Sequence, residues 1–261
     1  MKAVLITHGS TGDTVPMIAL ASALKSEGHE VALLISPAFS GLAEANLPAS
    51  DIHFIPPRDH QELVDLMHRF SGLTDNLRLI RAMYREMCPG LPEVVATLEQ
   101  ALSGAHLLVV SSLFPFYRHL ARRRNIPTLA LHFCHNSLPD PWSPPDPIPP
   151  LPRWSGPLAR AWSSLWWWSS NRILDFSLNR VAADRFQQID LPPLRNWLLR
   201  PAEYSAFLVS PTLFTPPTPL RAHQRMTGFL ELRRHHHAPS DTDSENTTLP
   251  GVPLLTFGSM S

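Results

Sequence analysis

The sequence predicts an α/β fold: a Rossmann-like, doubly wound parallel sheet. Three observations carry that prediction. A short apolar run at residues 3–7 breaks at Gly9 and Gly12 and passes into a segment of helical spacing. Such runs recur at residues 31–35, 107–111 and 126–133, with helical periodicity in between. The composition supports a large core, with 261 residues of which 44% are hydrophobic.

Residues 3–7 are apolar and β-branched, the pattern of a buried strand. Gly9 and Gly12 supply a tight turn that lets a ligand approach the backbone. Met17, Leu20, Ala21 and Leu24 then fall at helical spacing, and Pro16 is tolerated in the first turn. Gly28 closes this helix and residues 31–35 form the second strand, completing a parallel βαβ unit. Residues 52–55 make a weaker third strand, ended by Pro56 and Pro57. Residues 59–102 read as helices, interrupted where Pro89, Gly90 and Pro92 break the ladder. A fourth strand at 107–111, a helix near 116–124 and a fifth strand at 126–133 follow.

From residue 137 the material changes. Nine of the 28 prolines lie in residues 137–157, which predicts an extended polyproline-like loop. It leads into residues 158–176, which carry Trp162, Trp166, Trp167 and Trp168, and then into a helix at 181–188. A turn at Leu191-Pro-Pro-Leu194, a sixth strand at 205–209 and a short seventh at 224–228 complete the domain. Residues 233–250 are polar and aperiodic, the mark of a flexible linker. Residues 252–257 then restart as a strand before the turn Gly258-Ser259-Met260-Ser261. The expected organisation is therefore a domain at 1–232, a linker at 233–250, and at 251–261 the opening strand of a second domain that the chain does not complete.

Composition also excludes classes. Formal charge is zero, from 22 basic and 22 acidic residues, so no electrostatic footprint for nucleic acid is present. The two cysteines, Cys88 and Cys134, form neither a disulfide framework nor a CxxC pair and read as core residues. No segment reads as a signal-peptide core or a membrane span, and the expected location is cytoplasmic. The run His235-His236-His237 suggests metal, but consecutive histidines do not converge on one ion and no Cys or carboxylate cluster supports it. No metal site is expected.

The first loop is the candidate site. A dinucleotide site fits it poorly, because the spacing is Gly9-x-x-Gly12 and Ser36-Pro37 stands where a ribose-binding carboxylate is wanted. Asp13 is aimed at the crevice from a helix N-terminus, which stabilises its charge. It reads equally as a general base or as a plain N-cap. Ser10 orients a substrate group or serves the turn; His8 takes a proton or is a satisfied strand-end histidine. The tryptophans cannot all face one way on a helix. A wall for a flat apolar ligand and packing against another domain rank ahead of weak membrane-surface contact, because few basic residues accompany them.

The run His8-Gly-Ser-Thr-Gly-Asp-Thr-Val-Pro16, with Ile18 to His29, resembles the opening of GT-B glycosyltransferases. The branch is that of sterol and lipid glucosyltransferases and antibiotic-glycosylating enzymes. Gly104 to Ser112, Leu191 to Leu194, Phe207 to Pro211, Thr227-Gly-Phe229 and Leu255 to Met260 occur in that family's order, so the likeness spans nearly the whole chain. The resemblance implies the acceptor-binding half of an inverting hexosyltransferase that uses a nucleotide diphosphate sugar as co-substrate, without metal or other cofactor. It makes Asp13 the base, unassisted because Ser111-Ser112 stands where an acidic partner of a His base would be. His8, Ser10, Thr11, Gly12, Ser111, Phe114, His132 and Asn136 would line the acceptor pocket, and Gly258 and Ser259 would meet the donor phosphates. The implied partners are a lipid, sterol or natural-product acceptor, the nucleotide sugar, and a donor-binding domain in cis or in trans. This chain alone is expected to be inactive. The alternative is a non-catalytic acceptor-binding module or half of a split enzyme, with a nicotinamide-dependent oxidoreductase less favoured.

Overall fold

The computed structural model describes residues 1–232, apart from residues 58, 74–75, 135–137, 146, 201 and 217–219. Seven strands are described: β1 (Lys2–Ile6), β2 (Glu30–Ile35), β3 (Ile52–Phe54), β4 (Leu107–Ser111), β5 (Thr128–His132), β6 (Tyr204–Phe207) and β7 (Gln224–Met226). They form one sheet in the order β3-β2-β1-β4-β5-β6-β7, and every pairing is parallel. The helices are α1 (Thr11–Ser26), α2 (Ser40–Glu44), α3 (His60–Ser71), α4 (Asn76–Met87), α5 (Leu91–Ala101), α6 (Arg118–Arg123) and α7 (Pro157–Gln188).

Alternation along β1 sorts the two layers. Ala3 and Leu5 face α1, packing with Met17, Ile18 and Ala21. Val4 and Ile6 face the other side, where Leu98 of α5, Leu120 of α6 and Leu178 of α7 join the same core. Both faces are covered, so the central strands are apolar throughout, as a parallel sheet requires. Leu33 and Leu34 on β2 are both fully buried, each contributing roughly 1.5–3 kcal/mol. The helix α1 ends where Gly28, at φ 79°, turns the chain, its N–H bonding to the Lys25 carbonyl at 3.0 Å.

β6 and β7 each end two residues earlier than expected, at Phe207 and Met226, and two further elements differ for reasons the structure shows. β5 begins at Thr128, not at residue 126, because Pro127 has no N–H for the ladder; its carbonyl still accepts from Leu108 N–H at 3.0 Å. The tryptophan segment and the short helix expected at 181–188 are one continuous helix, α7, of 32 residues, which spans roughly 48 Å. Its buried face reads Ala159, Ser163, Trp167, Asn171, Leu174, Leu178, Ala182 and Phe186, a regular helical repeat. Ser163, Asn171, Asp175 and Ser177 on that face are polar, which hides the apolar stripe from a periodicity count.

The polar groups of Ser163, Asn171 and Asp175 are occupied. Asp175 accepts from the backbone N–H of Asn196 at 2.8 Å and of Trp197 at 3.0 Å. Asn171 Oδ1 accepts from Leu198 N–H at 3.0 Å. Asn179 binds both the N–H and the carbonyl of Leu194, at 2.7 and 3.0 Å. Asn171, Asp175 and Asn179 repeat every fourth residue, so one edge of α7 clamps the loop that carries Leu191-Pro-Pro-Leu194. The described part of the proline-rich segment straps the N-terminal half of the helix. Trp162 Nε1 donates to the Pro149 carbonyl at 3.1 Å and Trp167 Nε1 to that of Ser143 at 3.0 Å. The expected linker, the expected second-domain strand, the histidine run and the site residues Asn136, Gly258 and Ser259 lie outside the described residues.

Candidate functional site

The strand order reverses between β1 and β4, and in open parallel sheets such a switch point opens a crevice at the carboxyl ends of the strands. The loops after β1, β2, β4 and β5 meet at that edge. The loop after β1, four residues long, enters α1 directly beside the switch point, so its residues sit at the centre.

Ser10 is the N-cap of α1, in extended conformation with φ −68° and ψ −174°, and its carbonyl accepts from Asp13 N–H at 3.1 Å and Thr14 N–H at 2.9 Å. Its side chain makes no cap bond. Asp13 is therefore not the N-cap but the third helical residue, reaching back to a backbone hydrogen bond from Ser10 as in half of a capping box. Thr14 Oγ1 donates to the Gly9 carbonyl at 3.1 Å, and Gly9 N–H bonds to Thr7 Oγ1 at 3.2 Å, fixing the turn. The Asp13 side chain lies directly on Gly9: a Cβ at that position would overlap its Cβ, Cγ and Oδ2. Glycine is required there for close approach. Ser10, Thr11 and Gly12 are exposed on the rim of the helix N-terminus, beside the half-buried Asp13.

The helix N-terminus does not hold the Asp13 carboxyl at a low pKa, contrary to the expectation from the dipole. Burial raises it to about 6, with the Ser10 hydrogen bond opposing. It is ionised at neutral pH and far more basic than an ordinary aspartate. A carboxylate in that state can take a proton from a hydroxyl placed against it.

His8 is the satisfied strand-end histidine. Its Nε2 lies 2.6 Å from Tyr117 Oη and its Nδ1 3.4 Å from the Pro56 carbonyl. A carbonyl only accepts, so Nδ1 carries the proton and the Tyr117 hydroxyl donates to Nε2. Burial lowers its pKa to about 4, partly offset by Pro56, so the ring is neutral. Phe114 meets His8 edge-on at 5.2 Å and is 1% exposed. Phe114 is thus core under the loop after β4 rather than a free pocket surface. That loop is anchored by Tyr84, whose hydroxyl donates to the Leu113 carbonyl at 3.0 Å and accepts from Trp197 Nε1 at 2.7 Å.

Ser111, at the end of β4, is buried, and its Oγ accepts from Leu113 N–H at 3.4 Å. His132, at the end of β5, stacks on Phe207 at 4.3 Å and is held at a pKa of about 4 by burial. Ser36 Oγ donates to the Pro57 carbonyl at 2.6 Å, tying the loop after β2 to the chain after β3. Of the predicted residues, the structure brings Ser10, Thr11, Gly12 and Asp13 to the open rim, while His8, Ser111, Phe114 and His132 form the buried wall behind it. Tyr117 and Gly9 were missed. Gly9 was legible as a turn but not as the seat of a carboxylate, and nothing local marked Tyr117, which lies 109 residues from its partner.

Away from this edge, an open hollow of about 360 Å³ is lined by His119, Arg122, Arg123, Asp190, Leu191 and Pro192. It lies at the far end of α6, where the strands begin, and Arg123 is already paired with Asp190 at 2.9 Å. Among the described residues no group of three His, Cys, Asp or Glu side chains is placed to hold a metal.

No protein-family model matches the chain. In sequence it is 31% identical over 137 residues to an uncharacterized glycosyltransferase of Mycobacterium tuberculosis (strain ATCC 25618 / H37Rv), covering 51% of this chain and 32% of that one. It is 30% identical over 124 residues to a sterol 3-beta-glucosyltransferase of Kluyveromyces lactis, covering 47% of this chain and 10% of the relative. Among solved structures, the glycotransferase of kitacinnamycin superposes on 90% of the chain with a TM-score of 0.55 and 15% identity, and 53% of that structure is covered. The chain therefore spans about a third or less of these curated relatives and about half of the solved structure. The class is an α/β domain with GT-B glycosyltransferase architecture. Within that class, its sequence likeness is to glycosyltransferases, a sterol glucosyltransferase among them.

Proposed function

We propose that this chain is the acceptor-binding half of a nucleotide-sugar-dependent, inverting hexosyltransferase, with Asp13 as its general base. The observation that carries the reading is the Asp13 carboxylate, seated on Gly9 at the switch-point crevice with its pKa raised to about 6. A base is most effective when its pKa approaches the working pH without keeping its proton there. An acceptor hydroxyl placed against Asp13 gives up its proton as the oxygen attacks the anomeric carbon. The bond from that carbon to the diphosphate breaks on the opposite face, and the nucleotide diphosphate leaves as an anion. The configuration inverts and no covalent enzyme intermediate forms. Ser10, with the exposed N–H groups of Thr11 and Gly12, supplies polar contacts at the rim, and the buried wall of His8, Ser111, Phe114 and His132 keeps the loops in place.

In this reading residues 1–232 are the acceptor domain, 233–250 the linker and 251–261 the first strand of a donor-binding domain, where Gly258 and Ser259 meet the phosphates. Donor binding needs that domain in cis or a partner chain in trans. The acceptor class is a lipid, sterol or natural-product hydroxyl, and the cytoplasm is the expected location. The test is transfer measured with UDP- and dTDP-sugars and a panel of apolar alcohols, using the chain joined to a donor-binding half. Asp13→Asn should lower the rate at least about a hundredfold while donor affinity is unchanged. Undiminished transfer would refute the base assignment. Binding of an alcohol without transfer by any combination would leave a non-catalytic acceptor-binding module.

A further inference from the structure

The exposed side of α7 carries a surface that the crevice does not use. Leu158, Leu165 and Phe176 recur on its outward face and are 65%, 54% and 69% exposed. Trp168 and Ile173 flank them, 56% and 48% exposed, and Trp154, just before the helix, is 88% exposed. From Leu158 to Phe176 this stripe runs roughly 27 Å along the helix. Large apolar side chains contiguous over that length mark a contact surface rather than ordinary exposure.

Charge indicates the occupant. Along α7 the charged side chains are Arg160, Arg172, Asp175, Arg180, Asp184 and Arg185. Of the two acids, Asp175 is turned inward, 6% exposed, with its carboxylate taken by the N–H groups of Asn196 and Trp197, while Asp184 is exposed near the end of the helix. Arg160, Arg172 and Arg180 are exposed. Arg172 and Arg180 fall on the outward face itself, and the Arg172 guanidinium lies 5.7 Å from the Trp168 ring centre. From Leu158 to Arg180 the exterior of this helix is thus apolar, aromatic and cationic, and over the whole helix three exposed arginines outnumber one exposed acid. A protein partner or a second copy would leave those arginines to be matched one by one. An anionic bilayer accepts all of them at once, because the aromatic rings and Leu side chains enter the headgroup boundary while the arginines reach lipid phosphates. α7 is not apolar enough to cross a membrane, so it would lie on the surface.

We propose that the outward face of α7, with Trp154, docks this chain onto anionic phospholipid bilayers. The inference rests on the helix surface alone and stands whether or not Asp13 is a base.

The test uses the 261-residue chain with phosphatidylcholine vesicles, with and without about 30% phosphatidylglycerol. Co-sedimentation gives the partition coefficient, and quenching of tryptophan fluorescence by brominated lipid reports insertion. Strong partition is expected only on the anionic vesicles, weakening between about 0.1 M and 0.5 M salt. Leu165→Ser with Phe176→Ser should lower it at least about tenfold and remove the quenching. Arg172→Glu with Arg180→Glu should lower it at least about fivefold per arginine replaced. All four side chains are exposed, so circular dichroism should show an unchanged fold. Failure to bind anionic vesicles, equal binding to neutral ones, or binding untouched by these substitutions would overturn the proposal. So would a stable dimer abolished by the same substitutions, which would make this face a contact between copies.

Discussion

Asp13→Asn should stabilise the folded chain at neutral pH even as it removes the proposed base. Burial lifts the Asp13 pKa from 3.8 to about 6, so the folded state prefers the protonated carboxyl. Between those values the folded protein holds a proton that the unfolded chain has lost, so this residue's contribution falls as pH rises. It is fully present below the unfolded pKa and gone once pH passes the folded one. The full gap is worth roughly 3 kcal/mol, and partial exposure at the rim reduces the expected gain to about 1–2 kcal/mol. Asparagine keeps the shape and a carbonyl oxygen for the Ser10 hydrogen bond but carries no charge to bury. The buried histidines act in the opposite sense: His8 and His132, held at about 4, contribute stability above pH 6.5 that is lost as pH falls. The raw pH profile mixes both signs, so the measurement is the difference between variant and parent. Urea unfolding at several pH values between about 4 and 8 should give curves that coincide at the acid end and separate with the variant above the parent as pH rises. Parallel curves, or a variant destabilised at pH 8, would refute the claim that a buried charge is held there.

Gly9→Ala should cost about 2 kcal/mol or more, since its Cβ meets the Asp13 side chain, and should cut transfer with the Asp13 substitution giving little further loss; a double-mutant cycle checks this. Tyr117→Phe removes the donor to His8 Nε2 and should cost about 1–3 kcal/mol in denaturant unfolding, with the His8 pKa, read by NMR, moving. Asp175→Ala leaves the N–H groups of Asn196 and Trp197 without their acceptor and should cost about 2–3 kcal/mol, with faster proteolysis across residues 191–200.

The parallel sheet was legible because its central strands are buried on both faces and read as unbroken apolar runs, and because glycine and proline punctuate their ends. Asp13 was legible as a residue at a helix N-terminus, but its basicity was not. The dipole argues for an easily ionised acid, and only the packing onto Gly9 shows that desolvation wins. α7 was misread because its buried face carries Asn171 and Asp175, whose partners are backbone N–H groups more than 20 residues on. Inward polarity of that kind looks like a surface until the clamped loop is seen. Membrane contact ranked last from sequence because basic residues looked few; the structure turns Asp175 inward and leaves Arg160, Arg172 and Arg180 outside with Asp184 as the one exposed acid of α7.

The aromatic ring of contacts beneath the crevice also settles what can fold. Trp197 donates to Tyr84, Tyr84 holds the Leu113 carbonyl, and Leu174, Leu178 and Phe186 complete the core that begins with Val4 and Ile6. The proposed base follows a strand, β1, whose rear face is packed by residues up to almost 200 positions later. A shortened chain of β1 to β5 would keep the glycine loop and Asp13 but lose α7 and Trp197 from the cover on one side of its sheet. Glycine loop and distal helix therefore share one core, and the shape of the crevice depends on side chains from both ends of the domain.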